Sequence, residues 1–317
     1  MDYNIKDLVV TKRELNIKKV AIFIAVILLC SFTIFISFYI SYKNMNRENN
    51  LGTTTVNEKQ EKNNKAVNIY TGNHLQIANH NIEFIRTMTQ SAHRAGYNPN
   101  AKEEIRDIYY SEEKQVYLTF DDGPSKDVTP QILDILKQEN VPATFFVLGS
   151  RAEVYKDTIR REYEEGHYIA NHGYSHTYSS IYANQQNVLN EYNRTEQIVR
   201  DILNIPDYKS YLFRFPGGSA GGRYDNVKKQ AIELIEQNQI VHTNWNCLTG
   251  DAEGLRTKEA QMQKFLTSKK DSESIVILMH DANDKGVTVE LIKELIPYLK
   301  SEGYVFKNFY DIFRAEE

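Results

Sequence analysis

Apolar and polar positions divide this chain into stretches of different character. From 20 to 42 (VAIFIAVILLCSFTIFISFYISY) no charged residue occurs, and such a run matches the roughly 20 apolar residues a helix needs to cross hydrocarbon. Residues 43–68 are polar, rich in Asn, Lys, Glu and Thr, with almost nothing to bury, as expected of a solvated tether. In 69–112, Leu75, Ile77, Ile82, Phe84 and Ile85 can form a helix, or a short strand and helix, against a following domain; no function is assigned to this accessory segment. From about Gln115 short apolar runs alternate with amphipathic stretches, the mark of βα units around a largely parallel sheet. Strands are expected at 116–120, 143–147, 167–171, 212–215, 240–245, 274–280 and 304–307, and helices at 129–138, 152–165, 185–203, 227–237, 257–266 and 287–301. The expected fold is α/β, a distorted (β/α) barrel of about seven strands over 113–317, preceded by one transmembrane helix and a polar linker.

Charge gives the apolar run a direction. Lys6, Lys12, Arg13, Lys18 and Lys19 precede it and only Lys43 and Arg47 follow closely, so residues 1–19 are expected to stay cytoplasmic and the main domain to lie outside. The run exceeds the 7–15 apolar residues of a cleaved signal peptide, and no small-x-small cleavage site follows it. A retained membrane anchor is the expectation. Of 38 basic and 42 acidic residues, 5 and 3 fall in 1–42, leaving 33 against 39 outside. This acidic balance argues against a nucleic-acid partner held by bulk charge. Cys30 lies in the apolar run and Cys247 is the one cysteine beyond it, so no disulfide forms within the main domain. Nothing in the sequence fixes an oligomeric state.

Candidate chemistry sits at the ends of the expected strands. Asp121 and Asp122 follow the first, His172 the third, Arg214 lies on the fourth and His280 closes the sixth. In α/β barrels that rim builds the active site. Taken alone, Asp121-Asp122-Gly123-Pro124 is also a good turn. His172 and His176, four residues apart, can share one side of a helical turn, although Gly173 favours a loop and such pairs also occur as plain surface residues. Together, Asp122, His172 and His176 make an oxygen-and-two-nitrogen set suited to one divalent ion, zinc first and Co, Mn or Ni also compatible. Asp121 then stands beside that ion as a base for its water.

With these residues, the chain resembles the polysaccharide deacetylases, carbohydrate esterase family 4 or the NodB homology group, over about 113–310. Five motifs occur in the family's order: 119–123 (TFDDG), 172–176 (HGYSH), 214–217 (RFPG), 246–251 loosely, and 278–280 (LMH). The resemblance implies Asp121 as general base, Asp122, His172 and His176 as metal ligands, and Arg214 as the partner keeping Asp121 ionised. His280 is implied as general acid with Asp251 behind it. It also implies a substrate site in which the Gly217 N–H, after Pro216, meets the oxyanion, while Leu278 and Trp245 line the acetyl slot. Asn246 and Ala252 depart from the Asp and Trp that many members carry in the fourth motif. The third motif runs Arg214-Phe215-Pro216-Gly217 instead of Arg-Pro-Pro-Tyr, so an aromatic platform is missing there.

The expected activity is metal-dependent removal of the N-acetyl group from N-acetylglucosamine in cell-wall peptidoglycan, by an enzyme tethered outside the membrane. Deacetylation of N-acetylmuramic acid, poly-N-acetylglucosamine, chitooligosaccharide or acetylxylan would use the same site. A wall-binding module without catalysis has no need of a base and an acid, and a metalloprotease would need a His-Glu-x-x-His pattern that is absent.

Overall fold

Strand β1 (Gln115–Asp121) is buried along its whole length, which requires cover on both faces. The structure, a computed structural model, describes residues 95–314. The expected tail (1–19), span (20–42), tether (43–68) and the first part of the 69–112 segment lie outside the described residues; among those described, no helix is long and apolar enough to cross a membrane. In chain order the elements are α1 (Ala101–Ile108), β1, α2 (Val128–Glu139), β2 (Thr144–Val147), α3 (Gly149–Ala152), α4 (Lys156–Glu164), β3 (Tyr168–Asn171), α5 (Tyr178–Ile181) and α6 (Gln185–Leu203). There follow β4 (Leu212–Phe213), α7 (Asp225–Gln237), β5 (Val241–His242), β6 (Cys247–Leu248), α8 (Lys258–Lys269), β7 (Ser274–His280), α9 (Gly286–Ser301), β8 (Val305–Lys307) and α10 (Tyr310–Phe313).

All pairings between named strands are parallel, in the order β5-β4-β3-β2-β1-β7-β6, with β8 beside the first half of β1 and β2 beside its second half. Side chains alternate between the two faces of a strand. Val116, Leu118 and Phe120 of β1 pack outward with Ile132, Leu133 and Leu136 of α2 and Leu291, Ile292 and Leu295 of α9. Tyr117 turns inward to Phe146, Tyr168, Ala170, Leu212 and Val276. The inward positions thus run from apolar at strand starts to reactive at strand ends: Tyr117 to Asp121, Tyr168 to His172, Leu212 to Arg214, and Val276 through Leu278 to His280. Register sets Asp121 beside His280.

The barrel is open. β5 pairs only with β4 and β6 only with β7, and residues 243–246 cross between these edges. The Thr243 N–H donates to Phe213 O at 3.1 Å and the Asn246 N–H to Val276 O at 3.3 Å. The Asn246 amide adds bonds to Ser274 O (2.9 Å) and from the Val276 N–H (2.8 Å). These crossing bonds cut the expected strand 240–245 to two residues and give β6, which the sequence pattern did not indicate. They also show that Asn246 fastens the seam to β7. The expected helix 152–165 is two helices, α3 and α4, because Tyr155 leaves helical geometry (φ −112°, ψ 52°) and starts the second as its N-cap.

Ala101, Ile105 and Ile108 of α1 join Phe309, Tyr310 and Phe313 in the interior cluster, filling the end away from the strand tips. The last part of the accessory segment therefore belongs to the barrel packing. Cys247 is buried and free, and burial pushes its thiol up to about 11, so it stays an unreactive thiol.

Candidate active site and metal centre

The turn after β1 aims two carboxylates in different directions. Asp121, the last residue in the ladder, points into the interior, and Asp122 then takes a left-handed conformation (φ 75°), a strained setting for a side chain with a Cβ. Gly123 is required next, since a Cβ there would fall on the Asp281 carboxylate. Asp281 is buried, takes a 2.6 Å bond from Thr129 Oγ1, and is pushed up to about 7 by burial and then by the charges of Asp122 and Asp121.

The histidines come from the loop after β3. His172 Nδ1 lies 2.7 Å from Arg214 O; a carbonyl only accepts, so Nδ1 carries the proton and Nε2 presents its lone pair. Burial lowers this imidazole to about 3, so it is neutral across the physiological range. Its Nε2 lies 3.5 Å from Asp122 Oδ1, and His176 Nε2 lies 3.3 Å from the same oxygen. That oxygen is buried with no hydrogen-bond partner. One ligand atom from each of Asp122, His172 and His176 falls within 4.8 Å of the others. A lone pair facing an orphaned carboxylate oxygen is unfavourable unless a cation lies between them, and the donor set fits a divalent metal with open positions for water or substrate.

Glu191, on α6, fixes this loop. Its Oε2 accepts the N–H groups of Tyr174 and Ser175, each at 3.0 Å, and its Oε1 accepts the Ser175 hydroxyl at 2.7 Å. Gly173 (φ +84°) and His176 (φ 54°) are held left-handed on either side of these bonds. Nothing in the sequence separates Glu191 from other polar positions of an amphipathic helix.

Arg214 is fully buried. Its Nη1 donates to Asp121 Oδ1 (2.8 Å) and Thr119 Oγ1 (2.7 Å), and Nη2 to Asn244 O (2.9 Å). Phe146 lies 3.9 Å beneath the guanidinium. The Arg214 charge acts in the expected direction, favouring the ionised Asp121. Burial pushes Asp121 up, and the charges of Arg214 and His280 oppose the rise without cancelling it; a stronger base results.

Asp251 grips His280 twice: Oδ1 lies 3.0 Å from His280 Nδ1 and Oδ2 accepts the His280 N–H at 2.7 Å. Burial works against the imidazolium, but the Asp251 hydrogen bond and charge, with the charges of Asp121 and Asp122, raise His280 to about 9. Burial alone would raise Asp251; His280 outweighs it and brings Asp251 below its ordinary value. At neutral pH this pair is an imidazolium and a carboxylate.

Asp121, Asp122, His172, His176, Gly217, Trp245, Asp251, Leu278 and His280 line a single cleft of ≈ 340 Å³. Arg214 lies beneath it. Pro216 is not brought in: it is buried, and its carbonyl accepts the Tyr182 hydroxyl at 2.7 Å. Ala252 does line the cleft, as do Tyr178, Leu248 and Lys285, which sequence reasoning missed. Lys285 Nζ bonds Asp251 O at 3.1 Å. Tyr178 follows the motif histidines by two positions, which was the available signal for it.

A family model described as polysaccharide deacetylase matches residues 109–235. A peptidoglycan-N-acetylglucosamine deacetylase of Bacillus cereus is 34% identical over 205 residues, covering 64% of this chain and 70% of that protein. The peptidoglycan-N-acetylglucosamine deacetylase PgdA of Listeria monocytogenes (strain 10403S) is 35% identical over 193 residues, 61% of this chain but 37% of that longer protein. The solved structure of a Streptococcus mutans CE4 esterase superposes with a TM-score of 0.60 at 31% identity, covering 68% of this chain and 92% of that one. The alignment with the Bacillus cereus enzyme, over more than two thirds of its length, places this chain in the polysaccharide deacetylase family.

Proposed function

We propose that this protein hydrolyses the N-acetyl group of N-acetylglucosamine residues in cell-wall peptidoglycan, leaving a free amine on the glycan and releasing acetate. The observation that carries the reading is the acid and base set side by side in one cleft: a buried, arginine-bound carboxylate, Asp121, near the candidate metal ligands, and in register with it on the next strand an imidazolium, His280. A binding module has no use for that pairing. The names of the Bacillus and Listeria relatives support the glycan.

Asp122, His172 and His176 would hold the ion, and their donor set favours zinc, with cobalt, manganese or nickel compatible. A divalent ion there supplies Lewis acidity toward a carbonyl and acidifies water. Asp121, oriented by Arg214, takes the proton of the attacking water as oxygen adds to the acetyl carbon. Gly217 lines the cleft, and its N–H would serve the oxygen on which negative charge grows. His280 then gives its proton to the glucosamine nitrogen as the C–N bond breaks, so the amine leaves neutral, and Asp251 steadies the imidazole. Leu278, with Leu248 beside it, offers an apolar slot for the methyl group.

The uncharged run 20–42 with its basic leading flank supports a single-pass anchor in a bacterial membrane, N-terminus cytoplasmic and barrel outside, where wall glycan is the available polymer. Mass spectrometry of muropeptides from wall incubated with metal-loaded protein tests the reading. Loss of one acetyl group, located on glucosamine and absent with Asp121→Asn, is the expected result. Loss from muramic acid would reassign the sugar, and no loss would remove the proposal.

A further inference from the structure

Gly217, which lines the cleft, and the buried Gly218 beside it both have positive φ (73° and 80°), and each leaves room for an aromatic ring that another segment supplies. A Cβ on Gly217 would fall on the Tyr178 hydroxyl and lie 3.1 Å from its ring carbon Cζ. A Cβ on Gly218 would lie 3.3 Å from the Trp245 ring. Tyr178 and Trp245 both line the cleft. Tyr178 is thus the side chain that occupies the space residue 217 leaves empty.

Its ring is supported from behind. Tyr182, fully buried and bonded to Pro216 O, meets it edge-on at 5.7 Å, Tyr224 meets it at 6.5 Å, and His176 lies at 5.6 Å. With this backing Tyr178 still keeps 40% of its surface exposed, and among the described residues its hydroxyl has no hydrogen-bond partner. A large ring, pinned in place but left uncovered beside candidate metal ligands, is a surface built to be covered by something else.

We propose that Tyr178 is a specificity-determining residue for the glycan: its ring, admitted by Gly217, is the wall against which the pyranose bearing the acetamido group packs, facing Trp245 across the two glycines. The apolar C–H face of a pyranose suits an aromatic ring, and the free hydroxyl can bond a sugar oxygen. The aromatic platform missing from the third motif is restored from the loop carrying the histidines. This inference rests on the deacetylase reading for its sugar, but it concerns binding, which can be measured apart from hydrolysis.

Trp245 is the single tryptophan in the chain, so binding can be followed by its fluorescence and, independently, by calorimetry. The probe is the tetramer of N-acetylglucosamine, titrated into full-length, metal-loaded protein carrying Asp121→Asn so that the sugar is not consumed. In that background Tyr178→Ala is expected to weaken binding about tenfold and Tyr178→Phe by no more than about twofold. Gly217→Ala, which evicts the ring, should match Tyr178→Ala, and adding Tyr178→Phe to Gly217→Ala should recover part of the loss because the clashing hydroxyl is gone. A purely structural tyrosine would not show that rescue. Wild-type binding by Tyr178→Ala or Gly217→Ala, or no binding of the tetramer to the parent protein, overturns the proposal. Tetramer binding that depends on Tyr178, without acetate release by the protein carrying the native Asp121, would sink the deacetylase reading and leave this wall standing.

Discussion

The floor and the rim of the cleft are built by different means. On the floor, Asp121, His172, Arg214 and His280 end inward-facing strand positions whose register is set by the parallel ladder, and every one is tied by at least one hydrogen bond to a neighbouring element. On the rim, Trp245, Ala252 and Lys285 stand on irregular segments, and Gly221 and Gly222 have open space where a side chain would be. Chemistry that fails with a misplacement of about 1 Å belongs on the floor, and the rim is free to follow the shape of a polymer. Substitutions should therefore separate cleanly into large effects on turnover below and modest effects on recognition or stability above.

The largest effect is expected from Asp121→Asn. Loss of the base should lower kcat by about 10²–10⁴-fold, while metal content measured by plasma mass spectrometry stays at the level of the unaltered protein. A variant that also lost its metal would show that Asp121, and not only Asp122, ligates. Next comes Glu191→Ala, which touches no substrate. Freed from its two backbone N–H bonds, the histidine loop should relax, weakening metal affinity by about 10–100-fold in competition with a chromogenic chelator. Glu191→Gln, which retains an acceptor, should fall between; unchanged affinity in both would show that the loop holds its shape unaided.

A third test uses pH. His280, raised to about 9 from an ordinary 6.5, is bound more tightly to its proton in the folded protein than in the unfolded chain. The stability this gives is full below about 6.5 and is lost as pH rises through about 9. Activity should fall through the same window, as the acid loses its proton. Asp251→Asn removes the strongest opposition to burial, so the alkaline limb should move to lower pH. A limb that stays in place would show that it belongs to another group. The smallest effect belongs to the rim: Gly221→Ala, at φ +80° in open space, should cost about 1 kcal/mol in a denaturation midpoint and leave acetate release nearly unchanged.

The same division decided what could be read from the sequence. Asp121, His172 and His280 were legible because each ends or follows a short apolar run, and Arg214 because it lies on one, and strand ends of this kind survive folding as the rim of the sheet. Helix 185–203 was likewise legible from its period and is met by α6. Trp245 was placed by resemblance to the family's pocket, and it does line the cleft. Tyr178, Lys285 and Glu191 were not legible, since a one-turn helix, a loop and a helix flank reach the site by paths that carry no period. Strand β6 has two residues, too few for any alternation, and the seam 243–246 is shaped by hydrogen bonds to Arg214, Phe213 and Val276 that no local pattern encodes. Pro216, expected at the substrate, instead anchors Tyr182 and so steadies the wall from behind.

The packed interior below the strand tips has a further consequence. Tyr117, Phe146, Tyr168 and Phe309 fill the space under the reacting groups, so among the described residues the interior is packed below the cleft. In the proposed reaction the small acid product must escape through the same mouth that the polymer covers. Each cycle would then require the strand to lift or slide before the next round, making departure of the short fragment a step that the long one controls.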